Sequence, residues 1–464
     1  MGEGAVESRT ATTTNDLAED EELTQSARTL RSGTVLPRAI AGIVVGLLLP
    51  AQASAAIDLI EKDGWRLSTD GRINNFLSVA RGNWIPVGEP PYTGLDDEPT
   101  ADNKIASSRI RSGFIEGVMA LELNKKLAET TSLKIRFALW ALTASQRSAL
   151  DTPSTEAREA YFKLEGDWGG LLVGRSLALF ARGGILLDYE VEHGLGLGYP
   201  CAIKEVHGGA CGHAGFGLLF PGFHSGLVYN TPNVAGAQLS VGLYDPIQFA
   251  ESNYRRTPYP RPEAELTFAS PNRTVTAFVG GLWQRISATL MGATAKADYD
   301  FNAYGINYGI GVNIGPLKLG ASGFAGNGLG LAVPLEDNPA IILSGRPGLR
   351  SEDGYWGSAA LVFGGTKVAG GVGITRSKHD SADPDVNVAL MNGTELNVPF
   401  IAQQLGFSAG IYQTVFTSIT FALEYFGAQY TWFDRVETAA DGSVFLARPR
   451  QAVNFVNLGA TLLW

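Results

Sequence analysis

Short turns and long connections alternate along this chain, and that alternation constrains its fold more than any single motif. Tight links fall at 124–132, 165–170, 231–237, 270–274, 313–317, 363–367 and 413–418. Longer connections fall near 83–107, 147–156, 177–223, 246–260, 286–297, 326–353, 378–401 and 434–450. Eight long connections separated by seven short ones require sixteen strands, with every long loop at the same end. A soluble sheet has no reason to sort its loops in this way. A barrel that crosses an outer membrane does: its turns are short on one side, its loops longer on the other, and its strand number is even.

The segments between the loops support the same reading. "RLSTDGRINNFLSVAR" (66–81) sets Leu67, Ile73, Leu77 and Val79 on one face and Arg66, Ser68, Asp70, Arg72 and Asn74 on the other. "SLKIRFALWAL" (132–142) and "SITFALEYF" (418–426) alternate in the same way, and no amphipathic helix stands between strands to cover an apolar face. Period 2 with two unlike faces is a strand between two solvents. Charged residues make up 18% of the chain, below the usual quarter, so much of the surface has to face something other than water. The expected fold is therefore all-β, a 16-stranded antiparallel transmembrane barrel with lipid outside and water inside. The chain stops on "VNFVNLGATLLW", which places Val456, Leu458, Ala460, Leu462 and Trp464 on the lipid side. A terminal ring suits the aromatic girdle at the lipid boundary, and this last strand is expected to pair with the one around 66–81. On this reading Asn457 and Thr461 face the lumen, and a charge at Asn457 should be tolerated.

The one long apolar run, "AIAGIVVGLLLP" (39–50), is too short to span a bilayer as a helix. Arg28, Arg31 and Arg38 precede it and "AQASA" follows, the layout of a secretory signal cleaved before Ala56. Residues 1–55 are thus an N-terminal extension and signal, and 56–464 the barrel. The acidic "LAEDEEL" is foreign to such a signal, whereas "VLPRAIAGIVVGLLLPAQASA" is complete in itself, so translation is expected to begin at Val35.

Three stretches, "SSRIRSGFIEG" (107–117), "REAYFKLEGDWGGLLVGR" (158–175) and "LVYNTPNVAGAQLSVGLY" (227–244), resemble in motif and in order the general-diffusion porins of Gram-negative outer membranes. The resemblance implies a homotrimer in the outer membrane, with the loop 83–107 latching a neighbour. It implies passive passage of small hydrophilic solutes and ions, and a terminal aromatic, here Trp464, read by the outer-membrane assembly machinery. It also implies that the third loop, here 177–223, folds into the pore, where its carboxylates face arginines on the opposite wall. The loop offers Asp188, Glu190, Glu192 and Glu205; alternation puts Arg72, Lys134 and Arg136 on the wall, and the family's motif positions add Arg109, Arg158 and Arg175. Neutralising the loop acids would then shift selectivity towards anions. The family's further arginine has no counterpart, since "FHSGLVY" carries only His224 nearby.

The same loop and its end hold Cys201, Cys211, His193, His207, His213 and His224. In an exported protein the two cysteines suit a disulfide closing a subloop, while a His/Cys metal site is the competing reading. No nucleophile elbow, zincin motif or phosphate loop is present, and "GLGLGY" and "GNGLGLA" are glycine-rich without a strand–helix context. Nothing calls for a cofactor or for nucleic acid. A substrate-specific channel, with Tyr189, Tyr199, Phe216, Phe220 and Phe223 as aromatic candidates, is the alternative function, and a barrel enzyme a more distant one.

Overall fold

The computed structural model describes residues 56–86, 102–141, 155–191, 196, 198, 212–247, 254–255, 259–291, 296–335, 348–378, 385–396 and 400–464. Residues 1–55, where the signal and the Val35 start are expected, lie outside them, as do Glu192, Glu205, His193, His207, Tyr199, Cys201, Cys211 and most of the loop 83–107.

A short arm, β1 (Ile57–Lys62), precedes β2 (Trp65–Asn83), which opens the barrel. β3 (Lys104–Arg111) and β4 (Gly117–Lys126) both pair with β2 and make one interrupted strand. Five strands follow: β5 (Ser132–Ala141), β6 (Thr155–Gly166), β7 (Gly169–Leu177), β8 (Phe223–Asn230) and β9 (Ala237–Tyr244). After the two-residue β10 (Tyr254–Arg255) come β11 (Arg261–Ala269), β12 (Val275–Met291), β13 (Lys296–Ile314) and β14 (Leu317–Asn327). The meander continues through β15 (Ser351–Phe363), β16 (Thr366–Ser377), β17 (Ile401–Val415) and β18 (Ile419–Trp432). β19 (Arg435–Thr438) and β20 (Val444–Ala447) form a separate hairpin in the last loop. β21 (Arg450–Leu463) pairs with β18 on one side and β2 on the other, so the sheet closes. Counting β3 and β4 as one, and setting aside β1, β10, β19 and β20, leaves sixteen barrel strands.

All seven short turns lie where the sequence places them. The connection expected at 286–297 is much shorter, since the β12–β13 ladder runs without a break from Val275–Val312 to Met291–Lys296. The reason is physical. Beyond the lipid a paired hairpin has water on both faces and needs no apolar alternation, so "ISATLMGATAKADYDF" carries no period-2 signature.

The two faces behave as the two solvents require. On β2, Ile73 and Leu77 are exposed while Arg72, Asn74 and Ser78 are buried. In register, Leu423 of β18, Leu458 of β21, Leu77 of β2 and Ile110 of β3 form one outward row, and all four are exposed. Burying apolar side chains against water would be the soluble solution; here they form the lipid belt.

The terminal ring has a defined seat. Trp464 exchanges backbone hydrogen bonds with Gly71, at 3.0 and 3.1 Å. Its indole lies over that glycine so closely that a Cβ there would sit 2.3 Å from a ring carbon, which only Gly71 allows. Two residues earlier on β2, Thr69 pairs with Ile57, so β1 continues the ladder that β21 leaves.

Candidate functional site in the barrel lumen

The third connection leaves β7 and does not run over the surface. Its described residues enter the barrel and lie on the inner wall. After α1 (Arg182–Ile185), the carbonyl of Leu187 accepts from Ser358 of β15. Lys367 of β16 donates to the carbonyls of Tyr189 (2.6 Å) and Glu190 (3.2 Å). On the returning limb Gly217 donates to Thr375 Oγ1 at 2.8 Å, and a Cβ at Gly217 would lie 2.0 Å from the carbonyl of Tyr355. The loop is thus pressed onto β15–β17 at a distance that only glycine permits. At the other end of the loop, Arg182 is ion-paired with Glu265 of β11, and the Phe180 N–H donates to Glu263 at 2.8 Å.

Two of the loop acids meet in this docked segment. Asp188 and Glu190 are almost fully buried, as is His213 from the returning limb. His213 Nδ1 lies 2.7 Å from Asp188 Oδ2, its Nε2 lies 3.8 Å from Glu190 Oε2, and its ring stacks on Trp356 of β15 at 4.7 Å. Ser408 of β17 donates to Glu190. Burial alone would lower the His213 pKa, but Asp188, then Glu190, outweigh it and hold the imidazolium up to about 9. Burial raises the Glu190 carboxyl to about 8, against the pull of His213 and Ser408. The three side chains bring ligand atoms within 4.8 Å of one another, a donor set that suits a divalent cation. With Nδ1 engaged by Asp188, the trio acts here as an ionic clamp joining the two limbs of the loop. Next to it, Glu424 of β18 accepts from Tyr412 (2.7 Å) and from the Gly198 N–H (3.2 Å), and Asn457 donates to the Gly198 carbonyl (2.9 Å). Asn457 faces inward as alternation predicts, yet it is fully buried against the loop, where burying an unpaired charge is costly.

The expected basic residues gather on another arc. Arg136 of β5 grips Asp70 of β2 with both terminal nitrogens (2.6 and 3.0 Å) and Glu159 of β6 at 3.2 Å. Lys134 pairs with Glu122 at 3.0 Å. Arg158 sits where the β5–β6 register shifts, so it turns inward, pairing with Glu116 (3.2 Å) and Glu156 (3.0 Å) over the ring of Trp140. Arg72 is buried beside this group, and Arg109 is opposite the inward Ser78 in register and exposed. Arg175 is exposed, and register puts it on the face of Val173, whose partners Phe162 and Leu227 are outward. This wall therefore carries both signs, paired locally, rather than a purely basic ladder facing a purely acidic loop. The partners Asp70 and Glu424 share the inward face of segments whose alternation is plain in the sequence; what the sequence lacks is the register that pairs them. His224 is on β8, away from the His213 clamp, with its ring near Tyr244.

A closed sixteen-stranded barrel, apolar outside and polar inside, with a loop folded into its bore, defines a transmembrane channel protein. A family model described as Gram-negative porin matches residues 100–441. The chain belongs to the Gram-negative porin family, which places it in the outer membrane. Its fold is similar to that of the outer membrane channel DcaP of Acinetobacter baumannii, at 14% identity and TM-score 0.58, covering 88% of this chain and 100% of that one. It is also similar to an anion-selective porin from Comamonas acidovorans, at 12% identity and TM-score 0.54, covering 86% and 100%. In vitro folded OmpT of Vibrio cholerae shares 12% identity at TM-score 0.50, covering 88% and 99%. A comparison with curated protein sequences gives no match.

Proposed function

We infer that the barrel lets small hydrophilic solutes and ions cross the outer membrane by passive diffusion, through a lumen narrowed by the third loop. The observation that carries this reading is the docking of that loop inside a closed barrel, opposite a wall of paired charges on β2–β6. An aqueous lumen of this strand number does not fill with wall side chains alone, so an inserted loop decides the cross-section. The charges of both signs on that wall favour weak ion selectivity, and the anion selectivity named for the Comamonas protein is not carried over. A solute-specific channel is the second reading, favoured by the aromatic rings of Phe216, Phe426, Tyr430 and Phe455 inside the bore. Family and fold mark a channel rather than an enzyme.

By family resemblance the working unit is a homotrimer assembled through its terminal Trp464; the layout of residues 1–55 supports export behind a signal, and in an exported chain a Cys201–Cys211 disulfide would close the subloop. Purified protein in planar bilayers tests the central reading. Steady ohmic conductance with a reversal potential near zero in a salt gradient supports it, and no conductance would count against it. Saturable uptake of one solute at constant salt conductance would favour the second reading.

A further inference from the structure

The glycine-rich run Gly326–Ala332 has no part in the channel as described so far. It opens the connection between β14 and β15, and like the third loop it turns inward. Residues 328–335 are buried along their whole length, with Leu329, Leu331 and Leu335 at 0, 2 and 1% exposure. Gly328 and Gly330 have φ of +72° and +85°, which lets the backbone reverse at the barrel rim. Leu329 and Leu335 join an apolar cluster with Leu282 of β12, Ala303 of β13 and Phe324 of β14. Leu331, Ala332 and Val333 join a second cluster, which reaches Ala80 of β2, Phe426 of β18 and Phe455 of β21. A segment that joins these two clusters, one on β12–β14 and the other holding Ala214 and Phe216 of the third loop, projects from the wall into the lumen.

It is also fastened to the third loop. The Phe220 N–H donates to the Ala332 carbonyl at 2.7 Å, and Phe216 packs in the same cluster as Leu331 and Val333. Its base is held by Gly328 N–H to the Arg350 carbonyl (2.7 Å) and Leu329 N–H to Glu352 (3.1 Å). A loop that merely dipped into water would leave its leucines hydrated. Here their burial against the wall and among third-loop residues favours the docked position strongly.

We propose that Gly328–Leu335 is a second constriction element, clasped to the third loop at Phe220–Ala332. On this proposal the two loops together, not the third alone, set the size limit for neutral hydrophilic solutes. This rests on the channel reading above. The geometry offers a clean excision: the Leu335 N–H already donates to the Leu329 carbonyl at 2.7 Å, so residues 330–334 are a closed excursion whose ends touch.

The test is single-channel conductance in potassium chloride, with neutral polyethylene glycols of graded size as probes of entry. It compares the full chain, a variant lacking 330–334, and a length-preserving variant with Leu331→Ser and Val333→Ser. Conductance should rise about twofold or more on excision, and larger glycols should enter, because a segment that fills part of the bore beside the third loop is gone. The serine pair should move both readouts in the same direction by less, and it keeps the proposal testable if the excised chain does not assemble. If the parent conducts and both variants match it in conductance and glycol cut-off, the proposal is wrong while the channel reading stands. A silent parent with a conducting variant supports the proposal, and silence in all three overturns both.

Discussion

Leu458 and Asn457 are neighbours on β21 that face opposite solvents, and substituting each separates the two halves of the argument. Six residues of tilted strand separate Leu458 from the boundary ring Trp464, roughly 15 Å along the membrane normal, which is near the midplane of a ~25 Å lipid belt. Leu423 and Leu77 flank it in register, both exposed on the outer face, so an arginine at 458 has no polar group beside it. Leu458→Arg should therefore destabilise the barrel by roughly 2–4 kcal/mol. Asn457→Ala removes the 2.9 Å bond to the Gly198 carbonyl and leaves that buried group unpaired. It should loosen the loop by about 1–3 kcal/mol without touching the lipid face. Urea titration of folding into lipid vesicles, followed by the heat-modifiable mobility shift, reads the first effect. Single-channel current noise reads the second. If Leu458→Arg leaves the urea midpoint unchanged, the outward face assigned to the leucine row is wrong. If Asn457→Ala lowers the midpoint as much as Leu458→Arg does, the separation of wall from loop fails.

The clamp gives a pH test, since docked His213 (about 9 against 6.5) and docked Glu190 (about 8 against 4.5) both hold protons better than the free groups do. Loop docking is thus best supported at acid pH and weakens as pH rises, Glu190's contribution being lost between about 4.5 and 8 and His213's between about 6.5 and 9. Hydrogen-exchange protection in 188–191 and 212–218, corrected for the intrinsic base-catalysed rate, should fall between pH 6 and 9, and constant protection across that range would sink the idea. Asp188→Asn with Glu190→Gln removes buried clamp groups rather than open-pore charges. Conductance and noise should therefore rise more than the reversal potential moves, and a pure selectivity shift at constant conductance would show that the carboxylates line open water. Deleting Trp464 strips the ring from Gly71 and the last rung of the closing ladder, so outer-membrane levels of the folded barrel should fall several-fold; normal levels would refute a role for the terminal residue.

How much of this was legible in the sequence follows from where two unlike solvents meet. Ile73, Leu77, Phe137 and Leu423 could be placed outward without a structure, because lipid on one side and water on the other imposes period 2 on the strands. The turn positions follow as well, since each ends a run of that period. The extended β12–β13 hairpin escapes the rule, because above the lipid both faces meet water. Wall charges were legible one at a time but not as pairs: Asp70 and Arg136 lie 66 residues apart, and only register and strand tilt bring them to 2.6 Å.

The loops are illegible for a different reason, and that reason bears on function. A segment docked in a lumen meets many strands in irregular order, so it carries no period. Asp188 looks like an open-pore acid until His213, 25 residues on, is seen 2.7 Å away. "GNGLGLA" looks like a flexible surface loop, because glycine suits a flexible tip as well as it suits a tight passage between packed walls. What distinguishes the two is the leucines between the glycines. A tip in water has no use for Leu329 and Leu331, whereas a segment docked in a bore needs apolar side chains to seat it on the wall and on its neighbouring loop. The same logic applies to Phe216 and Phe220 in the third loop: large apolar residues in a long loop of a barrel signal inward docking. On that criterion the narrowest section is assembled from two loops that grip each other, and its width depends on their packing as much as on any charge.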